Sequence, residues 1–482
     1  MLRIVILMLL SALVPSAAAD TRKGFDAYQR EDFRTAVEEF REPAQAGDAT
    51  AQFYLGECYF NGRGVPQDFA EGIRWYERAA AQGQVEAQET LGGIYFSGKG
   101  VPKDPAKAAK WYGAAADQGR AYPAFIAGYL FDRGEGVNRD AAQAAKYYRI
   151  AAEAGNTDAQ EALAALYFFG NGIDRDYEAA ARWYRPAAQA GRSYPQYLMG
   201  WMYENGRGVQ ADAAQAAQWY RKAAEQGDPR AQASLGFLYA QGQGVERKPD
   251  EALRWFLKAA GQGESSVFSS IAWAYYQGSG TEKDASRAAE WFRKAADNGD
   301  VQSQFMVGYL HEQGIGVAQD AQEAVRWYRR AADAGNVEAM ESLAGMYFFG
   351  RGVGQDYSAA AKWYRLPAEQ GSTYAQYVLG YLSEEGKGVA QDYAQAVRWY
   401  SLAADKGDAR AQSHLGWLYF EGKGVEKDLS KAYLWSNLAA ARLTGDERQR
   451  VEQVRDFIAS KMSPEALAQA QRMAREWTPK TR

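Results

Sequence analysis

The sequence predicts an all-α fold, a solenoid of antiparallel helix pairs, and three observations carry that expectation. Between Ala51 and Asp446 the chain is one 36-residue unit written eleven times with no insertion or deletion. Each copy opens with apolar and small residues at helical spacing, as Ala51, Leu55, Gly56, Cys58 and Tyr59 do in the first, which marks a helix with one buried face. Each copy then sets a pair of glycines ahead of a second such stripe, and repeats of this kind bury their faces on their neighbours as one continuous core. Length alone would suggest about three domains, and the repeat overrides that prior.

Taken in order, the chain begins MLRIVILMLLSALVPSAAAD, with one positive charge at Arg3, an apolar run from Ile4 to Val14, and Ala17, Ala18 and Ala19 before Asp20. Residues 1–19 read as a signal peptide cleaved after Ala19, because a spanning helix needs about 20 apolar residues in a row. A soluble periplasmic or secreted protein is expected, with no cysteine after the cleavage site to take a lipid. Residues 20–50 read as an N-terminal capping helix pair, with Phe25, Tyr28, Phe33, Val37 and Phe40 at helical spacing and a tight link at Glu31 and Asp32.

Within the repeat, 51–446, the first helix ends at Gly62 and Gly64, since glycine accepts the left-handed conformation that follows a helix terminus. Val65 is placed to fold back on the last turn, and Asp68 is the N-cap of the second helix. That Asp recurs in every block but one, where Lys248 precedes Pro249 and Asp250 and a shifted cap is expected. Trp75 and Tyr76 beside Gly72, Ala79 and Ala80 set large against small, the pattern of interlocking helices. Gly83 closes the unit. Residues 447–482 read as C-terminal capping helices: Thr444 to Glu447 form a capping box, and a last helix opens at Ser463 and Pro464. Its stripe is Leu467, Ala470, Met473, Ala474 and Trp477.

Leu55, Gly56, Tyr59, Gly62, Gly64, Val65, Asp68, Trp75, Tyr76, Ala79, Ala80 and Gly83, with their copies, resemble the Sel-one-like repeat family, a relative of the tetratricopeptide repeat. The resemblance covers about nine tenths of the mature chain. It implies a right-handed superhelical solenoid of antiparallel helix pairs, and a role in recognising other proteins rather than in chemistry. A second period lies over the first. The blocks beginning at Ala159 and Ala339 share YFFG, and they and their successors correspond at an offset of 180 residues. Each leading block sets a proline in its second helix, Pro186 and Pro367, as Pro43 does near the N-terminus; proline there is expected to bend or stop the helix.

If the path follows a tetratricopeptide array, the first helices line the concave groove, and the inward columns begin at Thr50, Phe53, Glu57, Phe60 and Asn61. Those columns gather Tyr122, Phe125 and Tyr129, then Tyr194, Tyr197, Trp201 and Glu204, then Tyr374, Tyr377, Tyr381 and Glu384, with Phe237, Trp273, Tyr276, Tyr309 and Trp417 between. Aromatic side chains give large contact area at small entropic cost and concentrate at interfaces. The same side chains also suit packing between repeats. With Asp158, Glu161, Glu338 and Glu341 nearby, the groove is expected to favour a protein or peptide segment with apolar and basic side chains.

Catalysis finds little support. Of two histidines, His311 stands in a column of tyrosines, and His414 has no cysteine or second histidine nearby in sequence to share a metal. The single cysteine, Cys58, reads as a packed apolar residue. No cofactor is expected. A net charge of −4 with mixed signs gives no footprint for nucleic acid or anionic membrane. The first reading is a non-enzymatic periplasmic or secreted scaffold binding a protein or peptide; the alternative is an envelope protein that binds or hydrolyses peptidoglycan or exported polysaccharide.

Overall fold

The computed structural model describes residues 15–480, so residues 1–14 of the expected leader lie outside it. The described residues form 26 α-helices, one 3₁₀ turn and no strand, and divide into two compact units between Arg247 and Lys248. The first unit runs α1 (Pro15–Gln29), α2 (Phe33–Ala46), α3 (Ala49–Asn61), α4 (Phe69–Ala81), α5 (Val85–Ser97), α6 (Pro105–Asp117) and α7 (Ala121–Arg133). It continues with α8 (Ala141–Glu153), α9 (Thr157–Phe169), α10 (Tyr177–Gln189), α11 (Ser193–Asn205), α12 (Ala213–Glu225) and α13 (Pro229–Gln241). The second runs α14 (Pro249–Gly261), α15 (Phe268–Gln277), α16 (Ala285–Asp297), α17 (Val301–Gln313), α18 (Ala321–Asp333), α19 (Val337–Phe349) and α20 (Tyr357–Glu369). It ends with α21 (Thr373–Glu385), α22 (Tyr393–Asp405), α23 (Ala409–Glu421), α24 (Leu429–Ala440), α25 (Gly445–Ala459) and α26 (Pro464–Glu476). Where the sequence predicts one continuous core, the division falls at the block that lacks the Asp cap.

Local chemistry fixes each hairpin. Asp68 accepts a hydrogen bond from the Glu71 amide at 3.0 Å, and its own amide donates to the Tyr59 carbonyl at 2.8 Å, closing the turn. The first helix is capped in the same way, Asp48 accepting from the Ala51 amide at 2.7 Å. At α14 the cap does not shift: Lys248 holds the N-cap position without a side-chain cap bond, and Asp250 and Glu251 fill the first turn. The prolines do not stop their helices either. Pro43, Pro186 and Pro367 all lie inside continuous helices, each within the last turn or so, where few amide bonds remain to be lost. Thr444 precedes α25 as expected, but its side chain makes no cap bond.

Packing between the helices rests on close approach. A Cβ on Gly200 would sit 2.5 Å from the Tyr220 ring, so the missing side chain is what lets the large tyrosine lie flat on the first helix. A polar ladder runs beneath. The Gln52, Gln88, Gln160, Gln196, Gln232, Gln304, Gln376 and Gln412 side-chain amides each donate to a carbonyl of the preceding second helix, eight residues back. In places the next block's glutamine extends it: Gln226 donates to the Gln196 side-chain oxygen at 2.7 Å. Gln196→Leu strands the buried Ala188 carbonyl, and a buried acceptor left unpaired costs about 1–3 kcal/mol. A fall in the urea midpoint of that order is expected, and an unchanged midpoint contradicts it.

Candidate functional site

The second-helix tyrosines form the floor on which the first-helix residues stand. Tyr76, Tyr184, Tyr220, Tyr328, Tyr364 and Tyr400 are fully buried. Four of their hydroxyls donate to a first-helix carboxylate: Tyr76 to Glu57 and Tyr220 to Glu204 at 2.6 Å, Tyr328 to Glu312 at 2.6 Å and Tyr400 to Glu384 at 2.8 Å. The YFFG block breaks the pattern. Phe168 stands where the acid would be, and the buried Tyr184 hydroxyl has no hydrogen-bond partner. Burial raises the Tyr184 and Tyr400 phenols far above the ordinary value, with the neighbouring charges adding to it.

Above this floor the structure gathers two matching groups, one in each unit. In the first, the Arg230 guanidinium carbon lies 4.8 Å from the Tyr194 ring centre and 4.9 Å from that of Tyr197. Its Nη2 reaches Asp228 at 2.8 Å. In the second, 180 residues on, Arg410 lies 5.6 Å over Tyr374 and 4.6 Å over Tyr377, with Asp408 at 3.5 Å. Trp201 leans edge-on against Phe168 at 5.2 Å, and Tyr381 against Phe348 at 6.2 Å. Each group is therefore a half-buried aromatic shelf with a cation clipped over it, a favourable pairing. A guanidinium carries five N–H donors, so each arginine keeps donors for a ligand.

The remaining aromatics are more dispersed. Tyr122 is the most open at 55% exposure, and Trp417 follows at 38%. Phe125 packs against Tyr148, and the Tyr129 hydroxyl donates to Glu135. Trp273 and Tyr276 both stand edge-on to Phe292; Tyr309 and Phe237 are half-buried. These side chains thus combine packing with an exposed edge. Glu204 and Glu384 are committed to tyrosine hydroxyls, and Asp158 pairs with Arg192 at 2.6 Å. Column reading overlooks Arg230 and Arg410, although each lies one repeat after Tyr194 and Tyr374 in the same column.

It also overlooks His414. Its Nδ1 donates to Glu384 at 2.8 Å, and its ring stacks on Tyr400 at 5.0 Å. Burial pushes the Glu384 carboxyl up, but the bond and charge of His414, the Tyr400 hydroxyl and the charge of Lys423 outweigh it and hold the carboxyl below its ordinary value. A carboxylate held in this way contributes stability above the unfolded pKa of about 4 and loses it as pH falls through the lower folded value. Glu384→Gln is therefore expected to destabilise at pH 7 and to cost progressively less below about pH 4. Equal costs at pH 7 and pH 3 in urea unfolding would count against this arrangement.

His311 is half-buried with an unpartnered Nδ1 on α17. Cys58 is fully buried, and burial, with the Glu57 charge, pushes its thiol up to about 12, which leaves it inert. Among the described residues no group of three or more His, Cys, Asp or Glu is placed to hold a metal ion. Nor is any helix there long and apolar enough to cross a membrane.

Comparison with known proteins agrees with this architecture. The family model for the Sel1 repeat matches residues 49–84, 85–119, 124–156, 157–191, 196–228, 229–264, 270–300, 301–336, 337–372, 373–408 and 409–442. The crystal structure of c5321, a protective antigen present in uropathogenic Escherichia coli strains and displaying an SLR fold, is 34% identical, with 92% of this chain and 94% of that chain covered and a TM-score of 0.61. A Sel1 repeat protein from Oxalobacter formigenes is also 34% identical, over 64% of this chain and 89% of that one, with a TM-score of 0.46. None of the curated proteins compared matches. With eleven consecutive matches spanning most of its length, the chain belongs to the Sel1 repeat family.

Proposed function

We propose that this protein is a non-enzymatic scaffold of the periplasm or cell exterior that binds a protein or peptide segment along its first-helix face. A Sel1 repeat solenoid is a scaffold suited to protein–protein interaction, and such proteins are typically non-catalytic. The observation that carries the reading is the duplicated shelf, Tyr194, Tyr197 and Arg230 in one unit and Tyr374, Tyr377 and Arg410 in the other. Half-buried tyrosine with arginine over it offers apolar area and hydrogen bonds from already ordered groups, the composition that dominates binding hot spots. The leader-like sequence at residues 1–19 supports the location.

The test is site-directed photo-crosslinking in the native host, with p-benzoylphenylalanine at Tyr122 or Tyr197 on the first-helix face and at Lys222 on a second helix. Discrete protease-sensitive adducts from the first two sites and none from the third are expected. Adducts of equal yield from all three positions, or none from Tyr122 and Tyr197, would sink the reading. Adducts that resist protease and yield to glycan-cleaving enzymes would move it to the polysaccharide alternative.

A further inference from the structure

The end of the second unit carries a pocket that the rest of the repeat array does not repeat. It lies where α21, α23 and the capping helix α25 meet, with a volume of about 220 Å³. That is below the roughly 300–1,000 Å³ of a cleft for a drug-sized ligand, and suits a single residue. Its lining sorts into three kinds. Arg410, Arg450 and His414 present nitrogen; Leu443, Val451 and the Tyr377 ring present apolar surface; Glu447 presents one carboxylate.

The polar members are placed by bonds elsewhere. The His414 ring is fixed by Glu384 at 2.8 Å and by stacking on the buried Tyr400. Arg410 is clipped over Tyr374 and Tyr377 and touches Asp408 only at 3.5 Å. Arg450 differs: it is exposed and makes no ion pair or hydrogen bond among the described residues, even with Glu447 one helical turn before it. Two guanidinium groups thus face one small apolar pocket, one of them wholly uncommitted. The chain itself marks the site as local to this end. At an offset of 180 residues, Ser413 and His414 correspond to Ala233 and Ser234, and Glu447 and Arg450 to Val267 and Ser270.

We propose that this pocket binds the C-terminal residue of a peptide. The terminal carboxylate lies between Arg410 and Arg450, where planar guanidinium groups match carboxylate geometry. The residue's side chain rests on Leu443, Val451 and Tyr377, and its backbone N–H donates to Glu447. The proposal rests on the first-helix face being a peptide-binding face, and it assigns the end of the bound segment. It also reverses the charge expected of the partner at this point, since the acid of the neighbouring column, Glu384, is turned inward onto Tyr400 and His414.

The test uses the full mature chain and three fluorescein-labelled peptides read by anisotropy: Gly-Gly-Ala-Leu with a free C-terminus, the same peptide amidated, and an amidated peptide with an internal Asp. The free acid is expected to bind at least about tenfold more tightly than either amide, a difference of about 1.4 kcal/mol. Arg450→Gln should remove that advantage without changing the melting temperature, because the side chain has no partner to lose. Equal binding of acid and amide, binding of the Asp peptide as tight as the free acid, unchanged binding by Arg450→Gln, or no binding of any peptide up to millimolar concentration overturns the proposal. Crosslinking at Tyr122 and Tyr197, in the other unit, reads the wider scaffold function separately.

Discussion

Gly208→Ala is expected to destabilise the first unit by about 2–5 kcal/mol, while Gly227→Ala, nineteen residues on, costs only about 1–2. Both glycines have positive φ, +71° and +95°, so each substitution carries the strain of a left-handed side chain. What separates them is space. A Cβ on Gly208 would lie 2.0 Å from the Tyr177 carbonyl oxygen and 2.3 Å from its carbon, backbone at the first turn of α10. Nothing lies within 4 Å of a Cβ on Gly227. The clash cannot be relieved by a rotamer change, so the turn and α10 must separate. Urea unfolding read by circular dichroism should show a much larger midpoint shift for Gly208→Ala. Equal shifts would mean that the turn does not rest on the neighbouring helix as described.

The second large effect is expected at Tyr400. Tyr400→Ala empties a site with no solvent exposure, and loss of a buried aromatic ring costs about 3–5 kcal/mol. Tyr400→Phe keeps the ring but takes one hydrogen bond from the Glu384 carboxylate, leaving it to His414 alone; about 1–2 kcal/mol is expected. Tyr184→Phe is the contrasting case, because that buried hydroxyl has no partner, and a change within about 0.5 kcal/mol, or a gain, is expected. A cost for Tyr184→Phe matching that of Tyr400→Phe would refute the role given to the carboxylates. The same pair tests the pocket, since losing the Tyr400 ring removes the surface on which His414 stacks.

The candidate site was only partly legible beforehand. Reading down the columns finds Tyr194, Tyr197, Tyr374 and Tyr377, because the 36-residue period brings every fourth or seventh position of each first helix to one face. The columns do not reveal that Glu204 and Glu384 point down to Tyr220 and Tyr400, sixteen residues away. Nor do they reveal that Arg230 and Arg410 cross to the preceding repeat. His414 looked isolated because its partner Glu384 is thirty residues back. Such pairings depend on the stagger of one hairpin against the next, and periodicity does not specify that stagger.

By itself the sequence determined the helix pairs and where each one starts and stops. Asp68-type caps, Gly62-type termini and apolar spacing act within a few residues, so the chain states them directly. Tertiary structure alone decided which polar groups meet: the glutamine ladder from Gln52 to Gln412, the inward turn of Glu384, the unpaired Arg450 beside Arg410. The physical reason is that a helix fixes a side chain's direction, while its partner is set by the packing of a neighbouring helix. In this protein a buried tyrosine lying on a first helix, as Tyr220 lies on Gly200, sets that packing.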